Sequence, residues 1–415
     1  MIACPIYFWT KLTPTAIAIE TKNTRITYAD LHQRIEATKP ESRLVCEDSF
    51  QTIIQLIAAF RAGYCVQLLD PQSRHSVPEI PAHWHAKPTL PNTWGITAPS
   101  TVIYTSGSSA TPKGVVHSLE QHIWAALGAN KANCFQDTDA WLLNLPLHHV
   151  SGLGIVFRCL VRGARLVMPE TARDFLADVH RVTHVSVVRP QLQRMIEQGG
   201  NYTHLKYVLL GGSSCPDTVI DRARTCGIPV SVSYGLTEMG GQVATSVGDA
   251  MTGTVLPYRT VYTENEQIYV SGRCRCLGYW TDAGIVLQTH AKGGLATRDL
   301  GRFKANQLSV IGRMDALFIS GGENIQPEAI ESVLLSHPDI RACCVAPKPC
   351  EQYGHRPVAF IDPMVPHIGT WATQHLHPYQ RPVEYRAWPS NCSPAKPDRA
   401  RLANRLLNGI PPTSY

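Results

Sequence analysis

A ten-residue loop rich in hydroxyl groups and glycine follows a short apolar stretch at residues 102–104 and constrains the fold more than any other feature. It holds five hydroxyl side chains, two glycines and a lysine, in the order Thr105, Ser106, Gly107, Ser108, Ser109, Ala110, Thr111, Pro112, Lys113 and Gly114. Glycines let backbone N–H groups approach a polyphosphate, hydroxyls donate hydrogen bonds, and lysine adds a point charge. It is not a Walker motif, because Gly114 rather than Ser or Thr follows the lysine. A flexible Ser/Gly linker is the alternative, and the preceding strand and the Pro-Lys-Gly ending argue against it.

The chain around this loop alternates between apolar strand patterns and helical patterns. Strands are expected at residues 43–46, 65–69, 165–168, 184–188 and 207–210, and helices at 51–60, 118–126 and 191–197. Gly63 is expected to end the helix before the second strand. This rhythm predicts an α/β fold with largely buried strands. Residues 71–99, rich in Pro and His, are interpreted as a surface connector.

A change in pattern near Arg313 predicts a second domain. Beyond it the chain reads as a strand, a loop, a helix beginning at Pro327 and a strand at residues 342–346. We therefore expect a large, multi-subdomain α/β domain at residues 1–312 and a small α+β domain at residues 313–415.

Composition excludes several classes of function. The 13 cysteines contain no C-x-x-C pair, so we expect reduced thiols of a cytoplasmic protein rather than a zinc site. The net charge of +6 is spread out, without the Lys/Arg runs of a nucleic-acid-binding surface. No apolar run approaches the length of a membrane span. A homo-oligomer is left open.

Further motifs follow the loop in a fixed order. They are Pro146-Leu147-His148-His149-Val150-Ser151-Gly152, Gly211-Gly212-Ser213-Ser214, Tyr234-Gly235-Leu236-Thr237-Glu238, Thr297-Arg298-Asp299-Leu300-Gly301, Gly312-Arg313-Met314-Asp315 and Ser393-Pro394-Ala395-Lys396-Pro397-Asp398-Arg399. Together with the loop, this set resembles the motifs of the adenylate-forming superfamily, which includes acyl-CoA synthetases, peptide-synthetase adenylation domains and luciferases. The resemblance spans essentially the whole chain. It implies an adenylate-forming enzyme fold whose small C-terminal domain is mobile.

The resemblance also implies an ATP site, with Mg²⁺ and coenzyme A as further ligands. Its implied ATP- and AMP-binding residues are Thr105, Ser106, Gly107, Ser108, Ser109, Thr111, Lys113, Gly114, Gly211, Gly212, Ser213, Tyr234, Gly235, Asp299 and Arg313. Glu238 is implied as the Mg²⁺ ligand, Thr237 as an α-phosphate contact, and Asp299 and Arg313 as ribose contacts. Lys396 is the implied catalytic lysine, bridging the substrate carboxylate and the α-phosphate. The implied catalytic set is Lys396, Thr237, Glu238 and His149.

Other implied roles concern the acyl group and the second half-reaction. The acyl pocket is expected to contain His148, His149, Ser151, Gly152 and Arg189, with a packed core histidine and a surface arginine as the alternative readings. Asp315 is the implied hinge, and Gly321 with Gly322 is expected to line the CoA tunnel after rotation. The sequence departs from the family pattern around the lysine, because Ala395 stands for the usual glycine and Pro397 for an apolar residue. The large domain is also shorter than usual.

The acid itself is indicated by residues 318–328 and 353–359, which resemble o-succinylbenzoate–CoA ligases of menaquinone or phylloquinone biosynthesis. Most of these residues lie outside the acyl pocket, so they bear on ancestry more than on specificity. Two alternatives remain. One is another aryl- or acyl-CoA ligase, or an enzyme loading a carrier protein. The other is a catalytically silent nucleotide-binding homologue, against which the retained Lys396, Glu238 and Asp299 argue.

Overall fold

A computed structural model describes residues 2–73, 77–86, 93–105, 112–213, 215–246, 252–390, 392 and 398–407. The helices are α1 (Pro5–Leu12), α2 (Tyr28–Glu36), α3 (Ser49–Ala62), α4 (Leu119–Ala132), α5 (Val150–Arg162), α6 (Arg189–Gln198), α7 (Asp217–Thr225), α8 (Pro327–Leu335), α9 (Ile368–His375) and α10 (Arg399–Leu407). Short 3-10 helices occupy Ala82–Trp84, Ala172–Arg181, Thr237–Met239, Met314–Ala316 and Pro378–Gln380.

The strands number 26 within the described residues. They are β1 (Ile2–Ala3), β2 (Ile17–Glu20), β3 (Arg25–Thr27), β4 (Arg43–Val45), β5 (Val66–Leu69), β6 (Thr93–Trp94), β7 (Pro99–Thr105), β8 (Lys113–Ser118), β9 (Ala140–Leu142), β10 (Arg165–Val167), β11 (His184–Val187), β12 (Tyr207–Leu210), β13 (Val230–Leu236), β14 (Gly241–Ser246), β15 (Thr252–Val255), β16 (Arg259–Glu264), β17 (Gln267–Gly272), β18 (Gly278–Thr281), β19 (Gly284–Val286), β20 (Leu295–Lys304), β21 (Gln307–Arg313), β22 (Phe318–Ser320), β23 (Glu323–Ile325), β24 (Ala342–Cys350), β25 (Gly354–Asp362) and β26 (Glu384–Ala387).

Two sheets build the large part of the molecule. The larger has 13 strands in the order β16-β17-β20-β21-β15-β14-β13-β12-β11-β9-β10-β2-β3. Within this order, the neighbours from β13 to β2 are all parallel, as expected when helices connect them. The neighbours from β16 to β13 are all antiparallel, and so is the pair of β2 and β3. The second sheet, β19-β18-β8-β7-β5-β4, has six strands and is called here the six-stranded sheet. It carries the phosphate-binding candidate loop between β7 and β8.

A separate sheet forms the C-terminal part. β23, β22, β25 and β24 are neighbours, and β26 pairs in parallel with β25. Its apolar face packs on α8 and α9, and Ile330, Leu334, Val345 and Ile361 are almost fully buried there. The chain therefore has two structural parts, a large N-terminal one and a small C-terminal one, of the mixed α/β type that the sequence predicted.

Local sequence signals explain where the helices begin and end. Asp48 caps α3 by accepting hydrogen bonds from the backbone N–H of Phe50 and Gln51. Gly63 ends the same helix in the left-handed conformation, at φ +76°. Pro327 stands in the first turn of α8, where its missing N–H costs nothing. The predicted helix at residues 51–60 is thus confirmed and extends two residues further at each end.

Most described residues of the stretch 71–99 are exposed or partly exposed, as predicted for a surface connector, but two tryptophans are buried. Trp94 is completely buried, and its strand β6 pairs with β1 at the N-terminus. Trp84 is also buried, and the His85 ring accepts a hydrogen bond from the backbone N–H of Cys65 at 3.1 Å. No pattern in the sequence indicates that these two tryptophans are buried, because they lie in a polar stretch and neither belongs to a periodic apolar pattern.

Candidate functional site

The phosphate-binding candidate loop connects two antiparallel strands rather than a strand and a helix. Thr105 at the end of β7 lies opposite Lys113 at the start of β8, and α4 follows only after β8. Gly114 is closely packed, because a Cβ there would lie 3.0 Å from Val102 Cγ1 and 3.3 Å from a ring carbon of Tyr104. Ser106, Gly107, Ser108, Ser109 and Thr111 lie outside the described residues.

The Thr237–Met239 turn follows β13 and presents Glu238 beside β18. The Tyr279 hydroxyl on β18 donates to Glu238 Oε1 at 2.7 Å, and the backbone N–H of Cys276 donates to the Glu238 carbonyl at 2.7 Å. Burial, followed by the Glu238 charge, raises the pKa of Tyr279, so its hydroxyl stays a donor. Lys113 Nζ lies 5.9 Å from the centroid of the Tyr279 ring, within cation–π range. Tyr279 thus contacts Lys113 through its ring and Glu238 through its hydroxyl.

His117, a buried histidine on β8, supports the same turn by a hydrogen bond to its backbone. His117 is fully buried on β8, and its Nε2 lies 2.8 Å from the Thr237 carbonyl oxygen. Burial lowers the pKa of His117 to about 4, so the ring is neutral and donates through Nε2–H, since a carbonyl can only accept. The carbonyl of Thr237 is therefore held by the six-stranded sheet.

The donor set at Glu238 fits Mg²⁺. Magnesium is commonly held by one or two carboxylates plus substrate phosphates and water, so a complete protein cage is not needed. Tyr279 occupies one carboxylate oxygen, and no donor among the described residues contacts the other. Consistent with this mode, the described residues contain no cluster of three or more His, Cys, Asp or Glu side chains that could hold a metal alone.

Asp299, Tyr234 and Arg313 form a second cluster. The Tyr234 hydroxyl donates to Asp299 Oδ2 at 2.5 Å, and Arg313 donates to Asp299 Oδ1 at 3.1 Å. Strand register creates the pair, because Asp299 on β20 lies opposite Arg313 on β21. Burial raises the pKa of Asp299 even though Tyr234 and Arg313 oppose the shift. A short, nearly buried carboxylate between two donors is a suitable acceptor for the hydroxyls of a ribose.

Asp315, the hinge candidate, is connected to this cluster through Arg313. Arg313 also donates to both carboxylate oxygens of Asp315, at 3.0 and 2.8 Å, and this pairing lowers the pKa of Asp315. Arg313 therefore bridges the ribose candidate and the hinge candidate. Gln326 of the small part donates to the Arg313 carbonyl at 3.1 Å, which ties the junction to α8.

The remaining nucleotide candidates are backbone elements. Gly211 ends the strand β12, and Gly212 has a φ of +91° that favours glycine. Gly235 lies at an irregularity between β13 and β14, where a Cβ would come within 2.6 Å of the Gly241 carbonyl. Ser213 is exposed beside Gly212. Gly211 and Gly212 follow the carboxyl end of the parallel strand β12, which is the usual ligand edge of an open sheet.

The acyl-pocket candidates gather at the N-terminus of α5. His149 is exposed and occupies the N-cap, and Ser151 is exposed at the second position of the helix. The ring centroids of His148 and His149 are 4.3 Å apart. A Cβ at Gly152 would collide with the carbonyls of Leu145 and Pro146, so only glycine fits. Of the pair, His148 is half-buried, and burial lowers the pKa of His148.

Arg189 is buried, so the alternative of a surface arginine is wrong. Its relative exposure is 6%, at the first turn of α6. Burial lowers the pKa of Arg189, while Cys215 and, from the small part, Cys343 and Glu331 act in the opposite direction. Its Nε has no hydrogen-bond partner among the described residues. A buried guanidinium with unused donor capacity is a candidate anion site.

The CoA candidates Gly321 and Gly322 form the two-residue turn between β22 and β23. Both have positive φ, +59° and +88°, as a tight hairpin of this kind requires. They are exposed, and the backbone N–H of Gly321 donates to the Tyr353 carbonyl at 2.9 Å.

Lys396 lies outside the described residues. Arg399, three residues later, is anchored by Glu328 at 2.9 Å and Glu331 at 2.7 Å.

Three residues of this region were missed by sequence reasoning. Tyr279 and His117 support Glu238 and Thr237 from strands distant in the chain, so no local pattern announces them. Arg298, exposed beside Asp299, has a φ of +62°, an uncommon conformation for a residue with a side chain. Its charge acts to lower the pKa of both Tyr279 and Asp315.

Comparison with known proteins bears on the whole chain. The AMP-binding enzyme family matches residues 65–280, and the AMP-binding enzyme C-terminal domain matches residues 329–391. A 2-succinylbenzoate–CoA ligase of Haemophilus influenzae is 39% identical over 270 residues, which cover 64% of this chain and 59% of that protein. The Escherichia coli enzyme of the same name is 36% identical over 303 residues, covering 72% and 66%. The chain therefore spans less than two thirds of the length of these two relatives.

A solved structure extends the similarity to nearly the full length. A variant of E. coli MenE with bound OSB-AMS superposes with a TM-score of 0.83 at 28% identity, covering 97% of this chain and 98% of that one. Both structural parts are therefore found together in a similar arrangement. Within the described residues, no helix has the length and apolar character needed to cross a membrane.

Proposed function

Because this chain belongs to the AMP-binding enzyme family, we propose that it activates a carboxylic acid as its adenylate with ATP and then transfers the acyl group to coenzyme A. The observation that carries the proposal is the cluster of Asp299, Tyr234 and Arg313 near the Thr237–Glu238 turn. This cluster provides a candidate acceptor for the ribose hydroxyls. The same chain also carries the phosphate-binding candidate loop and Glu238, a carboxylate that could bind the metal. A protein that had lost nucleotide chemistry would have no need to keep these charges together.

In the first step a carboxylate oxygen of the acid attacks the α-phosphate of ATP and pyrophosphate leaves. Two anions must approach in line, so positioning and charge compensation dominate the barrier. Lys113 and the loop residues Thr105, Ser106, Gly107, Ser108, Ser109, Thr111 and Gly114 would hold the β- and γ-phosphates. Thr237 would contact the α-phosphate, and Gly211, Gly212, Ser213 and Gly235 would line the adenine side. Bound at Glu238, Mg²⁺ supplies positive charge to the phosphate oxygens.

Lys396 completes the first step in this proposal. Its ammonium would bridge the attacking carboxylate and the α-phosphate, where the negative charge of the transition state accumulates. Arg399 anchors the chain three residues away on Glu328 and Glu331, so the small domain would carry Lys396 to the site. We place the domain boundary between residues 312 and 313.

In the second step the CoA sulfur attacks the acyl carbon and AMP leaves. This step would need a different domain orientation, reached by rotation about Asp315, with Gly321 and Gly322 lining the entry for the pantetheine arm. The hairpin tip is exposed, which leaves it available for that contact. A cytoplasmic setting, where ATP and CoA are found and thiols stay reduced, suits the 13 unpaired cysteines.

The acid we propose is o-succinylbenzoate. Support comes from the relatives named above and from Arg189, whose buried guanidinium would compensate a second carboxylate. His148, His149, Ser151 and Gly152 would form the rest of the acyl pocket. Desolvation of a carboxylate is costly, so an acid lacking that group would leave the buried donors unpaired and be rejected.

The test is a pyrophosphate-release assay with ATP, Mg²⁺ and CoA. o-Succinylbenzoate, simple benzoates and medium-chain fatty acids are compared by kcat/KM, and we expect discrimination of up to roughly 10⁴-fold in favour of the first. Comparable turnover of benzoates would leave only a generic CoA ligase. If acyl transfer occurred only to a carrier protein, that protein and not CoA would be the acceptor. If no acid led to pyrophosphate release, the chain would be a catalytically silent homologue.

Arg189→Ala tests the pocket assignment separately. It should raise KM for o-succinylbenzoate and leave ATP binding unchanged. Arg222→Ala is the matched control, because Arg222 is an exposed arginine on the neighbouring helix α7. Equal effects of the two substitutions on KM for the acid would remove Arg189 from the pocket.

A further inference from the structure

The turn that carries Glu238 is held by residues of a different sheet. β13 and β14, which flank the turn, belong to the 13-stranded sheet, whereas His117 and Tyr279 belong to β8 and β18 of the six-stranded sheet. His117 fixes the Thr237 carbonyl, and Cys276, just before β18, fixes the Glu238 carbonyl. The backbone of the turn is thus set before any ligand binds.

The Glu238 side chain, by contrast, has a single protein partner among the described residues. That partner is the Tyr279 hydroxyl, at 2.7 Å from Oε1. We propose that Tyr279 is a positioning residue for the metal-binding carboxylate, and that it couples this carboxylate to Lys113 of the phosphate-binding candidate loop. The inference rests on the function proposed above and adds a residue to it.

The chemistry of the arrangement explains both halves of the inference. A glutamate with three rotatable side-chain bonds loses rotamer entropy when it binds a metal, and a hydroxyl that holds one oxygen removes much of that cost beforehand. The ring of Tyr279 lies beneath Lys113, whose Nζ is 5.9 Å from the ring centroid. One side chain therefore contacts both the cation that would meet the phosphates and the carboxylate that would meet the metal.

Strand pairing makes this geometry rigid. Tyr279 lies opposite Val115 on β8, two residues from Lys113, and Gly278 lies opposite Val116. The same β8 carries His117, so one strand positions the phosphate cation, the support of the turn and the tyrosine. A shift of β18 against β8 would displace the contacts of Tyr279 with Lys113 and with Glu238 together.

The test separates the hydroxyl from the ring. Tyr279→Phe removes the hydroxyl and keeps the ring beneath Lys113. We expect the Mg²⁺ concentration for half-maximal ATP binding, measured by isothermal titration calorimetry, to rise roughly 10-fold or more, the scale for losing an outer-shell partner of a metal ligand. ATP binding in EDTA should be unchanged. Tyr279→Leu removes the ring as well and should also weaken ATP binding in EDTA.

Tyr269→Phe is the matched control, because its hydroxyl donates to a side-chain oxygen of Gln267 at 3.0 Å away from this cluster. A Mg²⁺ requirement that rises no more in Tyr279→Phe than in Tyr269→Phe would overturn the inference. An equal loss of ATP binding with and without Mg²⁺ in Tyr279→Phe would also overturn it, since the hydroxyl would then serve the nucleotide rather than the metal. If the unmodified protein bound no ATP with Mg²⁺, the proposed function would fall and this inference with it.

Discussion

Charged residues near the nucleotide candidates are connected through one arginine. Arg313 donates to Asp299 and, through two further nitrogen atoms, to Asp315. The ribose acceptor and the hinge carboxylate thus share a cation, and a ligand that draws Arg313 toward the ribose would weaken its hold on the hinge. If the proposed roles of Asp299 and Asp315 hold, Arg313 would link nucleotide binding to domain orientation through a single side chain.

Asp299→Asn tests the ribose assignment. The substitution keeps the size of the side chain but removes the charge that Arg313 and a ribose hydroxyl would use. Hydrogen bonds to charged groups contribute about 1.5–3 kcal/mol, so KM for ATP should rise about 10- to 100-fold. Steady-state kinetics with ATP as the varied substrate measures this. The exposed Asp339→Asn is the control, and an unchanged KM for ATP in Asp299→Asn would contradict the ribose role.

Residue identities at the site could be predicted better than residue contacts. Glu238, Asp299 and Arg313 belong to short local motifs, and the structure places Asp299 and Arg313 opposite each other. The contact from Tyr279 to Glu238 spans 41 positions and depends on how β18 pairs with β8, which no local pattern specifies. The left-handed backbone of Arg298 likewise follows from the tertiary structure around it.

Helices and strands that begin or end at a glycine or proline could be predicted almost to the residue. The strand expected at residues 207–210 is β12, and the helix expected to begin at Pro327 is α8. Gly63 and Pro327 act through backbone geometry, which is local and therefore visible in the sequence. The burial of Trp84 and Trp94 within residues 71–99 could not be predicted, because the two tryptophans pack into cores built by distant segments.

Arg399 illustrates how an element can be anchored by charge. It begins α10, donates to Glu331 at 2.7 Å and to the Val345 carbonyl at 2.9 Å, and Glu331 itself is 5% exposed. Arg399→Met would leave Glu331 buried without its cation, a change that costs about 3–5 kcal/mol in buried pairs. We expect a lower melting temperature and slower adenylation, since α10 follows the Lys396 segment.

Differential scanning calorimetry and the pyrophosphate assay measure these two effects. Arg401→Met, at an exposed position on the same helix, is the control. Full stability of Arg399→Met would show that the ion pair contributes little. Normal adenylation in a destabilised variant would show that α10 does not position Lys396.

For the whole molecule, the proposed two-step reaction requires two domain orientations. Asp315 lies in the Met314–Ala316 turn, between the last strand of the 13-stranded sheet and the first strand of the C-terminal sheet. Asp315→Pro fixes φ near −65° and restricts rotation at this point. Adenylate should still form, whereas transfer to CoA should fail. Single-turnover assays of each half-reaction measure this.

Asp315→Ala is needed beside the proline variant, because both remove the ion pair with Arg313 while only proline restricts the backbone. Loss of CoA transfer in both variants would assign the effect to the charge. Equal CoA transfer in Asp315→Pro and the unmodified protein would place the hinge elsewhere.

Lys396→Ala tests the same change of domain orientation through the first half-reaction, adenylation. If Lys396 reaches the α-phosphate only in the adenylating orientation, its removal should slow adenylation by about 10²–10⁴-fold, the scale for one charged transition-state donor. Thioester formation from a pre-made acyl-adenylate should stay close to normal, because in the other orientation the lysine has left the site. Rapid-quench measurement of each half-reaction, with Lys348→Ala as a control lysine on the small part, distinguishes the two steps. An equal loss in both would mean that a single orientation performs the whole reaction, and Asp315→Pro should then spare CoA transfer as well.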